Sequence, residues 1–101
     1  MPSAPGQREP IRIRTNGAGV VLELTNLLDA HAGAALVTAT NRAVGTYPDR
    51  VDIDLRCLQS WTQAGAASLV RCREICHDLP DGLHYRTGRG PGRAALLAAY
   101  T

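Results

Sequence analysis

The side chains that could carry chemistry are few and scattered in this sequence. Cys72 and Cys76 are four residues apart, a spacing that puts two metal ligands on one side of a helix, but only Cys57 and His77 lie near them in sequence. Both cysteines also fall on an apolar stripe, where a free thiol behaves as a small hydrophobic group. We therefore expect them to pack in the core, and we expect neither a metal nor a cofactor.

A glycine-rich run, Gly88–Gly92, precedes the last apolar segment. Its backbone N–H groups could hold a phosphate at the start of a helix, but it lacks the Lys-Ser/Thr pair of a nucleotide-binding loop. His31, His77 and His84 lie apart, with no serine or acid at catalytic spacing. We therefore expect a flexible loop and a protein that is not an enzyme.

Length and charge narrow the class of protein. The chain has 101 residues, enough for one domain, and its 45% hydrophobic and 20% charged residues are ordinary for a globular protein. Eleven arginines against nine acids leave a net charge of only +2, too little for a nucleic-acid or membrane-surface binder that relies on bulk charge. Nucleic acid is therefore not an expected partner.

The apolar runs, the N-terminal residues and the cysteines indicate the cellular compartment. No run of eighteen apolar residues predicts a membrane span, and the first residues have no apolar signal-peptide core. We expect a flexible tail over residues 1–9 and a single domain over residues 10–101. Three cysteines, an odd number without an export signal, favour reduced thiols and a cytoplasmic protein.

Hydrophobic periodicity predicts an α/β fold in the order β-β-α-β-α-β-α. The first two strands flank Asn16-Gly17, a hairpin signal because both residues accept positive φ. The later connections are long enough for crossovers, so the last three strands should be parallel. The predicted strands cover residues 11–15, 20–25, 51–55 and 83–86, and the helices run from Asp29 or Ala30 to Val44 with Gly45 as the stop, from Gln63 to His77, and from Arg93 to about Tyr100.

Every predicted strand alternates, so helices should cover one face of the sheet and leave the other open and charged. On that open face, neighbouring Arg and Asp or Glu residues could pair, at roughly 0.2 to 1 kcal/mol each. The residues expected to face the helices are Ile11, Ile13, Val20, Leu22, Leu24, Val51, Ile53, Leu55, Leu83 and Tyr85, and those on the open face are Arg12, Arg14, Glu23, Asp52, Asp54, His84 and Arg86.

Two segments carry a family pattern. The stretch Val51–Val70 resembles the centre of the STAS domain (sulphate transporter and anti-sigma factor antagonist), in which a strand ending Asp-Leu leads to Asp-Ser-Ser/Ala-Gly and a helix. Upstream, Leu24–Asp29 is similar to the family's Leu-x-Gly-Glu-Leu-Asp, with Asn26 at the glycine and Asp29 kept. The resemblance covers residues 10–99 and implies a STAS-like mixed four-stranded sheet with helices mainly on one face.

The resemblance also implies a module that binds proteins. In antagonist-type members the partner is an anti-sigma factor that is itself a serine kinase, and phosphorylation of the Ser before the motif Gly switches the complex off. In this chain Ala64 stands at that Ser and Gly65 is kept, while Thr62 and Gln63 replace the preceding Asp and Ser. We therefore predict a bacterial transcription regulator resembling an anti-sigma factor antagonist, degenerate at the phosphosite and not switchable by its partner.

Several of these residues allow two roles. Asp29 could cap a helix or contact the partner, and Trp61 could seal a loop or anchor an interface. Ser60 with Gln63 forms a candidate capping box, Thr62 is the competing cap, and both hydroxyls are candidates for a displaced phosphoacceptor. The predicted partner-binding residues are Asp29, Trp61, Thr62, Ala64, Gly65, Arg71 and Glu74.

Two other functions stay open. A STAS-type domain without its acceptor serine would also suit a constitutive subunit beside a transporter or ATPase. Alternatively, Gly88–Gly92 with Arg89 and Arg93 could sense a small ligand or phosphate. The sheet edge leaves room for a homodimer or a partner segment.

Overall fold

A computed structural model describes residues 11–101; residues 1–10, with the predicted tail, lie outside the described range. The described chain forms six strands and three helices, two strands more than the periodicity predicted. In chain order they are β1 (Ile11–Asn16), β2 (Gly19–Leu24), β3 (Asn26–Leu28), α1 (Ala30–Val44), β4 (Arg50–Asp54), β5 (Leu58–Trp61), α2 (Gln63–Ile75), β6 (Gly82–Arg86) and α3 (Pro91–Ala99).

The main sheet has four strands in the order β1-β2-β4-β6. β1 and β2 form the predicted antiparallel hairpin, with Asn16 opposite Gly19, so the loop is Gly17-Ala18 and lies one residue later than expected. Gly17 has φ 63°, which explains why glycine stands there. β2, β4 and β6 are parallel, as predicted, and the predicted mixed α/β fold is confirmed.

A second sheet of two short parallel strands, β3 and β5, was not predicted. Leu28 pairs with Trp61 at its end, and the next residue of each strand, Asp29 or Thr62, begins a helix. Strands of three and four residues are too short to show a period of two. This small sheet sets the starts of α1 and α2 beside each other.

Helix ends differ from the prediction in detail. α1 stops at Val44 as expected, but Gly45 has φ −63° and is not a left-handed cap; the positive φ of 58° falls on Tyr47. α2 ends at Ile75 and not at His77, because the helix tightens into a turn at its C-terminus. α3 begins two residues earlier than predicted, with Pro91 at a helical position that needs no backbone donor.

The apolar face of the main sheet builds the core, with Leu22, Ile53 and Leu55 fully buried. Ile13 is an exception to the prediction that it would be covered. It lies opposite Leu22 and so on the helix side, yet it is 59% exposed, because the cover over edge strand β1 reaches Ile11 and stops short of Ile13.

Cys72 in α2 and Cys76 directly after it pack in this core, as predicted. Cys72 and Cys76 are fully buried, and the Thr40 hydroxyl, which donates to the Leu36 carbonyl at 2.7 Å, lies 3.4 Å from the Cys72 sulfur. Burial raises the pKa of the Cys76 thiol to about 11, so it stays protonated. Among residues 11–101 no group of three side chains could hold a metal, and no helix is both long and apolar enough to cross a bilayer.

The second face of the sheet is charged, as predicted, but its aspartates are not open to solvent. Asp52 is 3% exposed and Asp54 is 1% exposed. Arg50 Nε donates to Asp52 Oδ1 at 2.9 Å, and Arg86 Nη2 reaches across from β6 to Asp52 Oδ2 at 2.6 Å. Arginine side chains lying over the sheet therefore cover carboxylates that no helix covers.

Asp54 is held by one residue, Arg56. The Arg56 side chain donates from Nε to Oδ1 at 3.0 Å and from Nη2 to Oδ2 at 2.7 Å, and its backbone N–H adds a third bond at 3.0 Å. These hydrogen bonds hold the pKa of Asp54 below its ordinary value. Burial pushes the pKa of Asp52 upward, but Arg50 and Arg86 outweigh it, so this pKa is lowered as well.

We expect Asp54→Asn to lower the free energy of unfolding by roughly 2 kcal/mol at pH 7, because it removes the charge that Arg56 grips. A depressed pKa contributes stability above the ordinary value of 3.8, and that contribution is lost as the pH falls through the lower folded value. The difference in the free energy of unfolding between wild type and variant should therefore become smaller in acid. Urea denaturation at pH 7 and near pH 3 measures both effects.

Asp78→Asn is the matched control, because the Asp78 side chain is 91% exposed and, within residues 11–101, it pairs only with His77, whose side chain is 75% exposed. We expect it to leave stability unchanged at both pH values. An equal loss in the two variants, or a gap that stays constant with pH, would contradict the role assigned to Asp54.

Candidate partner-binding site

Two helix starts lie side by side at the end of the small sheet. The Asp29 carboxylate caps α1, accepting the Ala32 N–H at 2.9 Å, and the Thr62 hydroxyl caps α2, accepting the Gly65 N–H at 3.1 Å. The Thr62 N–H donates to the Leu28 carbonyl at 2.9 Å and ties one start to the other. The cap predicted for Asp29 and the competing cap at Thr62 are both present, and Ser60 forms no capping box.

Gly65 is what allows this arrangement. A Cβ at position 65 would overlap the Leu28 carbonyl oxygen and come within 2.9 Å of the Asp29 Cα. The crossing of α1 and α2 continues in the same way at Gly33, where a Cβ would overlap the Ser68 hydroxyl and lie 3.4 Å from the Gly65 Cα. The first turn of α2 thus packs directly on the backbone that leads into α1.

Asn26 stands at the glycine of the resembled motif and adopts a backbone conformation that suits glycine. Its φ is 73°, in the left-handed region, which glycine adopts freely and asparagine adopts more readily than other residues. The replacement of the family's glycine by Asn26 is therefore conservative for the backbone. It preserves the turn between β2 and β3 that directs the chain to Asp29.

Ala64 lies next to Gly65 in the first turn of α2, and its methyl group is exposed. Arg71 and Glu74 are also exposed, about 10 and 15 Å further along the helix at 1.5 Å per residue. Ala64 and Arg71 are two turns apart and so share one side of α2. The structure thus groups Asp29, Thr62 and Ala64 at one tip, while Arg71 and Glu74 extend the surface along α2.

Two other predicted site residues have positioning roles in this structure. Gly65 is buried, so it shapes the surface without being part of it. Trp61 is half-buried and packs against the core at the end of β5, which agrees with its interpretation as a seal. Thr62 and Ser60 are both exposed, and the Thr62 hydroxyl is engaged as the cap.

The glycine-rich loop has a packing role as well. A Cβ on Gly92 would overlap the Leu55 carbonyl oxygen, so this glycine lets α3 approach the end of β4. Gly90 precedes α3 and offers no side-chain cap. Ser68 was not singled out from the sequence; the signal that could have found it is Gly33, a poor helix former inside a helix, which implies a close neighbour.

Solved structures provide the comparison. No family model matches the sequence, and no curated protein matches it. An anti-sigma factor antagonist from Mycobacterium paratuberculosis superposes with a TM-score of 0.72 at 22% identity, over 97% of this chain and 83% of the other. The anti-sigma factor antagonist SpoIIAA in its unphosphorylated form gives 0.68 at 12% identity, over 86% and 81%.

A different protein shares the fold over a smaller part of its length. The structure of Mglu in its native form matches with a TM-score of 0.65 at 11% identity, covering 79% of this chain but 27% of that one. These identities establish the fold and nothing finer. The chain has the STAS-like fold of the anti-sigma factor antagonists, as the two sequence segments predicted.

We expect Gly65→Ala to destabilise the protein by roughly 2 to 4 kcal/mol, because the new Cβ must displace the backbone at Leu28. An ordinary glycine-to-alanine change inside a helix is instead stabilising by up to about 1 kcal/mol, so even the sign tests the contact. Thermal and urea unfolding measure it.

Gly90→Ala is the control, since a Cβ there meets nothing within 4 Å. It should shift stability by no more than about 1 kcal/mol, the range for a change at a helix cap. A neutral or stabilised Gly65→Ala protein would disprove the close approach of the two helix starts.

Proposed function

We propose that this chain is a regulator of the anti-sigma factor antagonist type whose docking surface stays available because it lacks the phosphoacceptor. The observation that carries the proposal is the exposed methyl group of Ala64, next to a glycine that packs under Asp29. In the resembled family the switch serine occupies that position of the motif. The fold shared with two anti-sigma factor antagonists supports the same interpretation.

The electrostatics of the helix start explain how such a switch would act and why its loss matters. A phosphate in the first turn of α2 would be tolerated by the helix itself, because the amino end of a helix favours negative charge. It would nevertheless bring about two negative charges into the contact with a partner. Ala64 cannot acquire that charge, so a complex formed through this tip would persist in the presence of an active kinase.

Binding would use the groups that surround Ala64, of which Thr62 is exposed and Asp29 is half-buried. Asp29 and Thr62 stand on the two neighbouring helix starts, and the side of α2 that carries Arg71 adds a positive charge. Both caps are held by backbone N–H bonds, so the tip is ordered before a partner arrives and little conformational entropy is lost on docking. The proposed partner is an anti-sigma factor with serine kinase activity.

We expect Ala64→Ser to become phosphorylated at position 64 by such a kinase and ATP, whereas the wild type gains no phosphate. Mass spectrometry of the intact protein and its peptides measures both. Thr62→Val and Ser60→Ala, made in the wild type and in the Ala64→Ser protein, identify any phosphate on the neighbouring hydroxyls. Phosphate on Thr62 or Ser60 of the wild type would refute a non-switchable surface.

We also expect Ala64→Glu to weaken the complex with that kinase roughly tenfold or more, because it places a fixed negative charge where phosphate would sit. The stability of the variant should not fall, since an acid suits the first turn of a helix. Ala94→Glu, an exposed alanine on α3, is the control and should bind normally. Calorimetry of the two variants decides whether the tip of α2 is the contact, and equal affinity for both would place the contact elsewhere.

A further inference from the structure

We propose that the helix-free face of the main sheet is a second docking surface, which takes an acidic segment of a protein partner. This surface, here called the arginine face, is separate from the tip of α2 because the strands that form it turn their other side to the helices. The proposal therefore does not depend on the proposed function. Its arginines are Arg12, Arg14, Arg50, Arg56 and Arg86.

Positive charge dominates the arginine face away from one end. Its five arginines lie among three acids, Glu23, Asp52 and Asp54. Two further acids, Asp49 and Asp81, line the cavity at one end of the face. Since Asp52 and Asp54 are buried, the layer that meets solvent consists mainly of guanidinium groups.

Three of these guanidinium groups are held by the buried aspartates of the sheet. Arg50 uses only Nε, and Arg86 only Nη2, to bind Asp52. Arg56 uses Nε and Nη2 to bind Asp54. Each guanidinium has five N–H donors, so each retains donors for an incoming carboxylate, and the anchoring lowers the entropy lost on binding.

The other two arginines project from edge strand β1. Arg12 and Arg14 are two residues apart on the same side of the strand, a separation of roughly 7 Å. Arg12 lies 3.9 Å from Glu23 and its side chain is 76% exposed, a pair of little energetic value. Within residues 11–101, Arg14 has no ion pair. An extended segment with acids at alternate positions would match their spacing.

Acids around the face favour a protein segment over a nucleic acid. A cavity of about 300 Å³ at one end is lined by Arg50 and Arg86 but also by Asp49, Asp52 and Asp81. Carboxylates there would repel a continuous row of phosphates, whereas an acidic peptide can place a neutral or donor side chain in the cavity. The modest net charge argues in the same direction.

The test is binding of a fluorescent peptide with alternating Glu and Ser residues to the full chain, followed by anisotropy. We expect binding at about 0.1 M salt and its loss near 1 M, where the screening length falls from roughly 10 Å to 3 Å. The double variant Arg12→Gln and Arg14→Gln should weaken binding roughly tenfold, since each exposed pair contributes up to about 1 kcal/mol. Circular dichroism should confirm that it folds.

The control removes two arginines from exposed positions of the helices, Arg42→Gln and Arg93→Gln, and has the same net charge as the test variant. It should bind within about twofold of the wild type, because the charge it loses lies off the arginine face. Equal weakening of both double variants would show attraction by bulk charge and overturn the proposal. Tighter binding of duplex DNA or anionic vesicles than of the peptide would overturn it too, as would no peptide binding at millimolar concentration.

Discussion

The absence of a side chain at Gly65 holds the candidate site together. It lets the first turn of α2 pack on the Leu28 carbonyl. Gly33 likewise lets α1 pack closely on α2. Because of this contact, the two helices that Asp29 and Thr62 cap begin side by side. The small β3–β5 sheet has the same effect, since its last residue pair, Leu28 and Trp61, directly precedes the two helix starts.

The two faces of the main sheet are covered by different groups. One face is covered by helices over an apolar layer. On the other, Asp52 and Asp54 lie beneath arginine side chains whose hydrocarbon stems and charges replace a missing layer. This arrangement stabilises the sheet through ionised carboxylates, and it also leaves positive charge on the surface in a fixed pattern. Arg50, Arg56 and Arg86 therefore hold the buried carboxylates and at the same time form part of the proposed docking surface.

The sequence was sufficient for the features that repeat. Alternation gave the four main strands, and the glycine after Asn16 marked the hairpin to within one residue. β3 and β5 were not predicted, because strands of three or four residues are too short to show an alternating pattern. The burial of Asp54 was not predicted either. A pattern of apolar and polar residues assigns every acid to the solvent and does not show that the Arg56 side chain covers Asp54. The prediction that Ile13 would be buried was wrong. The alternating pattern shows which face of the sheet a residue lies on, but not how far the helices extend over that face.

Within the candidate site, the family resemblance located the helix start, while the geometry showed how each residue is positioned. Gly65 looked like a contact residue and is a buried spacer, and Thr62 proved to be the cap of α2. The exposed methyl group of Ala64 has an evolutionary consequence. An alanine codon becomes a serine codon by a single base change, and within residues 11–101 the methyl group is exposed. Under the proposed function, a lineage could therefore gain or lose covalent control at this position without remodelling the fold, and duplicated copies could diverge into a responsive form and an unresponsive one.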